Sequence, residues 1–158
     1  MSTGAEYITG ADSSCLMHMQ GEPRTMQKNP VYTDLLSEVK SFLAERARAL
    51  TDLGVSAEKI VLDPGFGFGK TVSQNFELLA KTEDFLSLGY PLLYGMSRKS
   101  SLGAVTGITK AEERLISSVT AHLLAVERGA SIVRVHDVKQ MKEALTIYKA
   151  TVHYKDLK

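Results

Sequence analysis

A short apolar run, a Gly/Ser-rich loop and a long amphipathic stretch recur in that order four times along the 158 residues, and this repetition limits the fold more than any single motif. The apolar runs are residues 15–19, 59–63, 91–95 and 131–135, too short for helices and suited to buried strands. The first amphipathic stretch carries Leu35, Leu36, Val39, Phe42, Leu43, Leu50 and Leu53 at helical spacing, closed by Gly54. The second carries Phe76, Leu78, Leu79, Phe85 and Leu86, with Ser73 as the expected N-cap and Gly89 as the stop. The third spans about 112–128 on a stripe of Leu115, Ile116, Val119, Leu123 and Val126, ends at Gly129, and follows a loop over 96–109. The fourth uses Val138, Met141, Leu145, Tyr148 and Val152, and Asp137 is placed to cap it.

Successive strand–helix units predict an α/β fold with parallel strands, because each helix carries the chain back to the edge where the strand began. Two architectures satisfy the pattern: a piece of a (β/α)₈ barrel, or a small open doubly wound sheet.

Charge and cysteine content narrow the function. A net charge of +1 gives no basic excess to neutralise phosphates, so nucleic-acid binding by bulk electrostatics is not expected. One cysteine, Cys15, cannot form an internal disulfide and suits a reducing compartment. No apolar run nears the ~20 residues of a membrane span, and no signal peptide is visible at the N-terminus. A cytoplasmic protein without a membrane partner is the expectation.

Chemistry-bearing residues gather just after each apolar run, at the strand ends where active sites form in both candidate folds. After the second run stands Asp63-Pro64-Gly65-Phe66-Gly67-Phe68-Gly69-Lys70. A carboxylate followed by alternating glycines lets backbone approach a ligand, and Asp63 can accept from a ring N–H and an amino group together; the other reading is a tight turn capped by Asp63. A Walker A loop would need glycine where Pro64 stands, and the third glycine comes one residue early for a dinucleotide fingerprint. Ser97-Arg98-Lys99-Ser100 places two cations and two hydroxyls after the third run, as an anion-binding loop or a solvated one. Arg134 and His136, two apart, face the same way on a strand and suit an oxyanion or phosphate; alternatively His136 is a core histidine. Met17-His18-Met19-Gln20-Gly21 is less telling, since alternating methionines usually mean packing. No local spacing of a zinc site and no nucleophile elbow occurs, and His122 and His153 have no assigned role.

Taken together, four segments resemble the dihydropteroate synthase family of pterin-binding enzymes: Leu16-Met17-His18-Met19-Gln20-Gly21-Glu22-Pro23, Leu62-Asp63-Pro64-Gly65-Phe66-Gly67-Phe68-Gly69-Lys70, Gly95-Met96-Ser97-Arg98-Lys99-Ser100 and Arg134-Val135-His136-Asp137-Val138. The resemblance implies a (β/α)₈ barrel of which residues 15–158 supply the last four βα units, with 1–14 unmatched. It implies condensation of 6-hydroxymethyl-7,8-dihydropterin diphosphate with 4-aminobenzoate in folate biosynthesis. By that resemblance Asp63 binds the pterin edge, and Met17, Gly67 and Phe68 line its pocket. Lys99 contacts the pterin and substrate region, Ser97 lies near the 4-aminobenzoate site, and Arg134 and His136 hold the diphosphate. Lys99, Arg134 and His136 are the catalytic candidates.

The resemblance also implies magnesium, sulfonamides as inhibitors that mimic 4-aminobenzoate, and a homodimer. The family's Asn-x-Thr-Pro-Asp-Ser-Phe-Ser and Ser-Thr-Arg-Pro-Gly motifs are absent, so no magnesium ligand is expected within this chain. The alternative function is an inactive pterin-binding or interaction module. Half a barrel would leave open strand edges near 15–19 and 131–135.

Overall fold

The structure, a computed structural model, describes residues 5–7, 13–22, 25–26 and 28–156. It is α/β. Strand β1 (Ala5–Tyr7) runs antiparallel to β2 (Ser14–Met17), which pairs in parallel with β3 (Ile60–Asp63). A parallel bridge, Leu62 to Leu92, joins β3 to the chain entering β4 (Leu93–Tyr94), and β4 pairs in parallel with β5 (Ile132–Val133). From β2 to β5 the neighbours therefore follow chain order, with no reversal of the kind that opens the crevice of a doubly wound sheet. Among the described residues the strands do not close on themselves.

One expected edge is absent. The side of β2 predicted to be open is covered by β1, with Ala5 opposite Leu16 and Tyr7 opposite Ser14. The segment 1–14, which carries none of the motifs, thus supplies a strand; β5 remains at the other end of the order.

Helix α1 (Leu35–Asp52) starts at Asp34, whose carboxylate accepts the Ser37 N–H at 3.0 Å. It buries Leu35, Val39, Leu43 and Ala47, four apart, against Leu16, Ile60, Leu62, Leu78, Phe85 and Leu92. Leu53, expected on that stripe, is 82% exposed as the helix cap.

Helix α2 (Val72–Ala80) is capped by Thr71 rather than Ser73. Thr71 and Gln74 complete a reciprocal capping box, each side chain taking the other's backbone N–H. The chain then tightens into a 3-10 helix, Thr82–Leu88, and ends at Gly89 as anticipated.

Within the expected loop 96–109 lies a short helix, α3 (Ser100–Thr106), ending at Gly107. Helix α4 (Leu115–Glu127) turns a different face inward from the predicted stripe: Ser118, Ala121, His122 and Ala125 are buried, whereas Ile116 is 80% exposed. The helix has apolar residues all round, so periodicity does not select a face; Ala121 and Ala125 are small enough to pack with Phe66, Leu79, Tyr94, Met96 and Leu102. Helix α5 (Val138–Val152) buries Met141.

Parallel pairing sets Met17 opposite Asp63 and Tyr94 opposite Val133. The four parallel strands, β2 to β5, end together, and the loops that follow them meet on one side.

Candidate functional site

The loop after β3 is built around two buried charges. Asp63 is 4% exposed, and its Oδ1 accepts the Gly65 N–H at 2.7 Å. Burial pushes its carboxyl above the usual range, opposed by that N–H and by the charges of Lys99, Arg134 and Lys70. Lys70 is 2% exposed, and its Nζ donates to Gly65 O, Phe68 O and His18 Nδ1, each at 3.0 Å. Those three acceptors use every donor of the ammonium. Burial lowers Lys70 to about 7, against the pull of Asp63, and lowers His18 to about 3. With Nδ1 accepting, the ring proton of His18 is assigned to Nε2.

Two glycines here do what no other residue can. Gly65 has φ 77°, and a Cβ on it would stand 1.8 Å from the His18 carbonyl oxygen. Gly67 has φ 82°, and its absent Cβ leaves room for the Lys99 side chain, 2.8 Å from where it would lie. The Gly67 N–H is taken by Asn75 Oδ1 at 2.6 Å, and Asn75 Nδ2 reaches Lys70 O, Thr71 O and Ser101 Oγ.

Lys99 comes across from the loop after β4. Its Nζ donates to Phe66 O and lies 4.0 Å from the centre of the Phe68 ring. Burial lowers it to about 8, partly offset by Asp63 and reinforced by Arg134. Ser97 Oγ accepts the His136 N–H at 3.2 Å and sits 2.9 Å from His136 Nδ1.

Arg134 and His136 lie just beyond β5, yet Arg134 N–H still bonds Tyr94 O at 2.9 Å, so the strand's alternation carries on. The Arg134 guanidinium packs over Gly95, where a Cβ would be 3.1 Å from its Nε. Asp137 does not use its side chain as a cap: its carboxylate takes two bonds from Arg98, at 2.7 and 3.2 Å.

A cavity of about 340 Å³ is lined by Gly95, Ser97, Lys99, Arg134, Val135 and His136. It unites the candidates from the last two loops. Gly67 and Phe68 reach it through the Lys99 side chain, and Asp63 through its charge interaction with Lys99 and Arg134. Met17 ends β2 opposite Asp63 and is not among the residues that line this cavity. Sequence reasoning missed Asn75 and the role of Lys70. The glycine-rich run is the one signal that could have found them, since such a loop needs side chains to hold its backbone.

Residues 6–136 match the family described as "Pterin binding enzyme". The chain belongs to the pterin binding enzyme family. The match begins within β1, at Glu6, and runs to His136. Among relatives, Escherichia coli dihydropteroate synthase is 45% identical over 144 residues, covering 91% of this chain and 51% of its own length. The solved Stenotrophomonas maltophilia dihydropteroate synthase, with active site-bound imidazole, superposes with a TM-score of 0.85 at 51% identity, covering 88% of this chain and 52% of that one. Xanthomonas albilineans dihydropteroate synthase, solved in complex with 7,8-dihydropteroate, gives a TM-score of 0.82 at 43% identity, covering 88% and 50%. The chain spans about half the length of the curated relatives it matches. No helix among the described residues is long and apolar enough to cross a membrane.

Proposed function

We propose that these residues form the pterin- and diphosphate-binding side of a dihydropteroate synthase, as the last four βα units of a (β/α)₈ barrel. One observation carries the reading: Ser97, Lys99, Arg134 and His136 line one cavity, and the charges of Lys99 and Arg134 act on the buried carboxylate of Asp63. Asp63 accepts from the pterin's ring N–H and amino group, while the Phe68 ring and the Gly67 backbone offer it a wall. Arg134 and His136 receive the diphosphate. As the aniline nitrogen of 4-aminobenzoate forms its bond to the pterin methylene, the bond from that carbon to the diphosphate oxygen breaks. The electron pair leaves with the diphosphate, and the nitrogen then loses a proton. Arg134 stabilises the departing anion electrostatically. Ser97, beside Nδ1 of His136, fixes that ring and leaves Nε2 as the nitrogen offered to a ligand.

Magnesium belongs to the same reading as an aid to diphosphate departure, but the residues here do not fit it: no group of three or more His, Cys, Asp or Glu among the described residues is placed to hold a metal ion. No step is therefore routed through it. Sulfonamides would compete as mimics of 4-aminobenzoate. Two copies would pair through the outer helices, where Phe76, Leu102, Val105, Ile116 and Leu124 line an apolar groove. A cytoplasmic location completes the reading.

A second reading is a module that binds pterin without turnover. Calorimetry with 6-hydroxymethyl-7,8-dihydropterin diphosphate, followed by a product assay with added 4-aminobenzoate, separates the two. Binding is expected, and Asp63→Ala should weaken it by about 1–3 kcal/mol, the cost of leaving buried donors unpaired. No heat at millimolar ligand, with a folded chain by circular dichroism, overturns both readings.

A further inference from the structure

Side chains of helix α4 bond the backbone of the turn after β4. Arg114, at its N-cap, and Ser118 and His122 within it are spaced four apart, so they lie on one face. That face bonds the turn carrying Lys99. His122 is fully buried; its Nε2 accepts the Met96 N–H at 3.0 Å, and its Nδ1 pairs with Ser118 O at 2.7 Å. The pattern assigns the ring proton to Nδ1. Ser118 Oγ accepts the Arg98 N–H at 2.8 Å and donates to Arg114 O at 2.6 Å. Arg114 Nη1 donates to Arg98 O at 2.8 Å, and its Nε and Nη2 donate to Ile108 O and Thr109 O. Gly103 admits the guanidinium, because a Cβ there would lie 2.5 Å from Nε.

The turn needs such support. Arg98 is not glycine, yet its φ is 61°, a left-handed conformation that L side chains disfavour. The reversal at Arg98 sends neighbouring side chains apart: Arg98 to Asp137, Lys99 to Phe66 O and the Phe68 ring. An α4 face made only of apolar residues would bury Met96 N–H, Arg98 N–H and Arg98 O unpaired.

We propose that Arg114, Ser118 and His122 are positioning residues that hold the turn at Arg98 in its left-handed form and so set where Lys99 stands in the site. The importance of that for substrate rests on the pterin reading; the positioning itself does not.

The test follows the Lys99 amine by NMR in the full chain, with lysines carbon-13 labelled at Cε and the Lys99 signal assigned by its loss in Lys99→Arg. In the native chain it should titrate at about 8, held there by burial and by Arg134 against Asp63. Ser118→Ala removes one oxygen; the turn relaxes, Lys99 moves toward solvent, and its midpoint rises by about one pH unit or more toward the ordinary 10.5. Ser118→Thr keeps the hydroxyl and should restore the native value. Pterin diphosphate affinity should fall roughly tenfold in Ser118→Ala and return in Ser118→Thr. An unchanged Lys99 midpoint in a folded Ser118→Ala chain overturns the proposal. If that variant does not fold, amide exchange in the native chain decides: Met96 and Arg98 N–H must exchange as slowly as the interior of α4, and exchange at loop rates overturns it. A native chain that binds no pterin, with the Lys99 response intact, removes the functional reading and leaves the positioning standing.

Discussion

Arg98 and Asp137, 39 residues apart, share a two-point ion pair, with Nη2 2.7 Å from Oδ1 and Nε 3.2 Å from Oδ2. It ties the left-handed turn after β4 to the first residue before α5, and so links the two loops that line the cavity. The bonds from Arg98, with its charge, hold the Asp137 carboxyl below its usual 3.8. A carboxyl with a depressed folded value stabilises above its unfolded range and loses that contribution as pH falls through the folded value. Asp137→Asn should therefore melt earlier than the native chain at pH 7, and the gap should close as the pH drops below the ordinary aspartate range. Paired thermal melts across acid pH check this, and a gap that stays constant would show that the ion pair is not its source.

Lys70 predicts a slope of the same sign in a higher pH window. Its amine is lowered by burial to about 7, so between about 7 and its ordinary 10.5 the unfolded chain binds the extra proton. Stability contributed by this group is lowest below its folded value and rises with pH through that window. Lys70→Met would leave Gly65 O, Phe68 O and His18 Nδ1 without their donor, at a cost of about 1–3 kcal/mol. Denaturant unfolding of both chains from pH 7 to 10 should show the native one gaining on the variant as pH rises. Parallel curves would mean that Lys70 titrates as an ordinary lysine.

The two glycines of the same loop should respond differently. Gly65→Ala sets a Cβ against the His18 carbonyl, part of the backbone, and should prevent stable folding. Gly67→Ala meets only the flexible Lys99 side chain; it should cost about 1–2 kcal/mol for the left-handed backbone and displace Lys99. Gly54→Ala, with φ 88° and open space around it, is the control for backbone cost alone. Equal losses of melting temperature in all three would refute the close approach at Gly65.

What the sequence made legible lies within short range. Asp63, Ser97, Lys99, Arg134 and His136 could be placed on one side because each follows an apolar run, and parallel strands end together. The four strands themselves were readable from the same runs, shortened at their ends in the structure. What could not be read depends on partners far along the chain. Lys70 meets His18 across 52 residues, Asn75 meets Ser101 across 26, and Asp137 finds Arg98 where a local cap was expected. Nothing in helical spacing marks these meetings. The stripe of α4 failed for a related reason: its large residues lie on several faces, and the inner one is chosen by the small side chains and hydrogen bonds the turn above requires. Thr71 displaced Ser73 as a cap because only Thr71 has Gln74 three residues on.

The last expectation concerns β5. Ile132 and Arg134 direct their N–H groups to Leu92 O and Tyr94 O, so alternation turns the Val133 N–H away from β4. Beyond β5 the sheet order has no further strand among the described residues, and Ile132 is 36% exposed. An edge of this kind pairs with another chain's edge. The native chain should therefore form species larger than any pair held by the outer helices, in proportion to concentration. Val133→Pro removes the outward donor and keeps the ladder to β4, since proline is tolerated on an edge strand when its missing N–H faces outward. Sedimentation velocity over a range of micromolar concentrations should show the larger species vanish in Val133→Pro while circular dichroism keeps its native form. If the native chain sediments as a single small species throughout, β5 is not a pairing edge in solution. If the larger species persist in Val133→Pro, association runs through the apolar groove of α2, α3 and α4 instead.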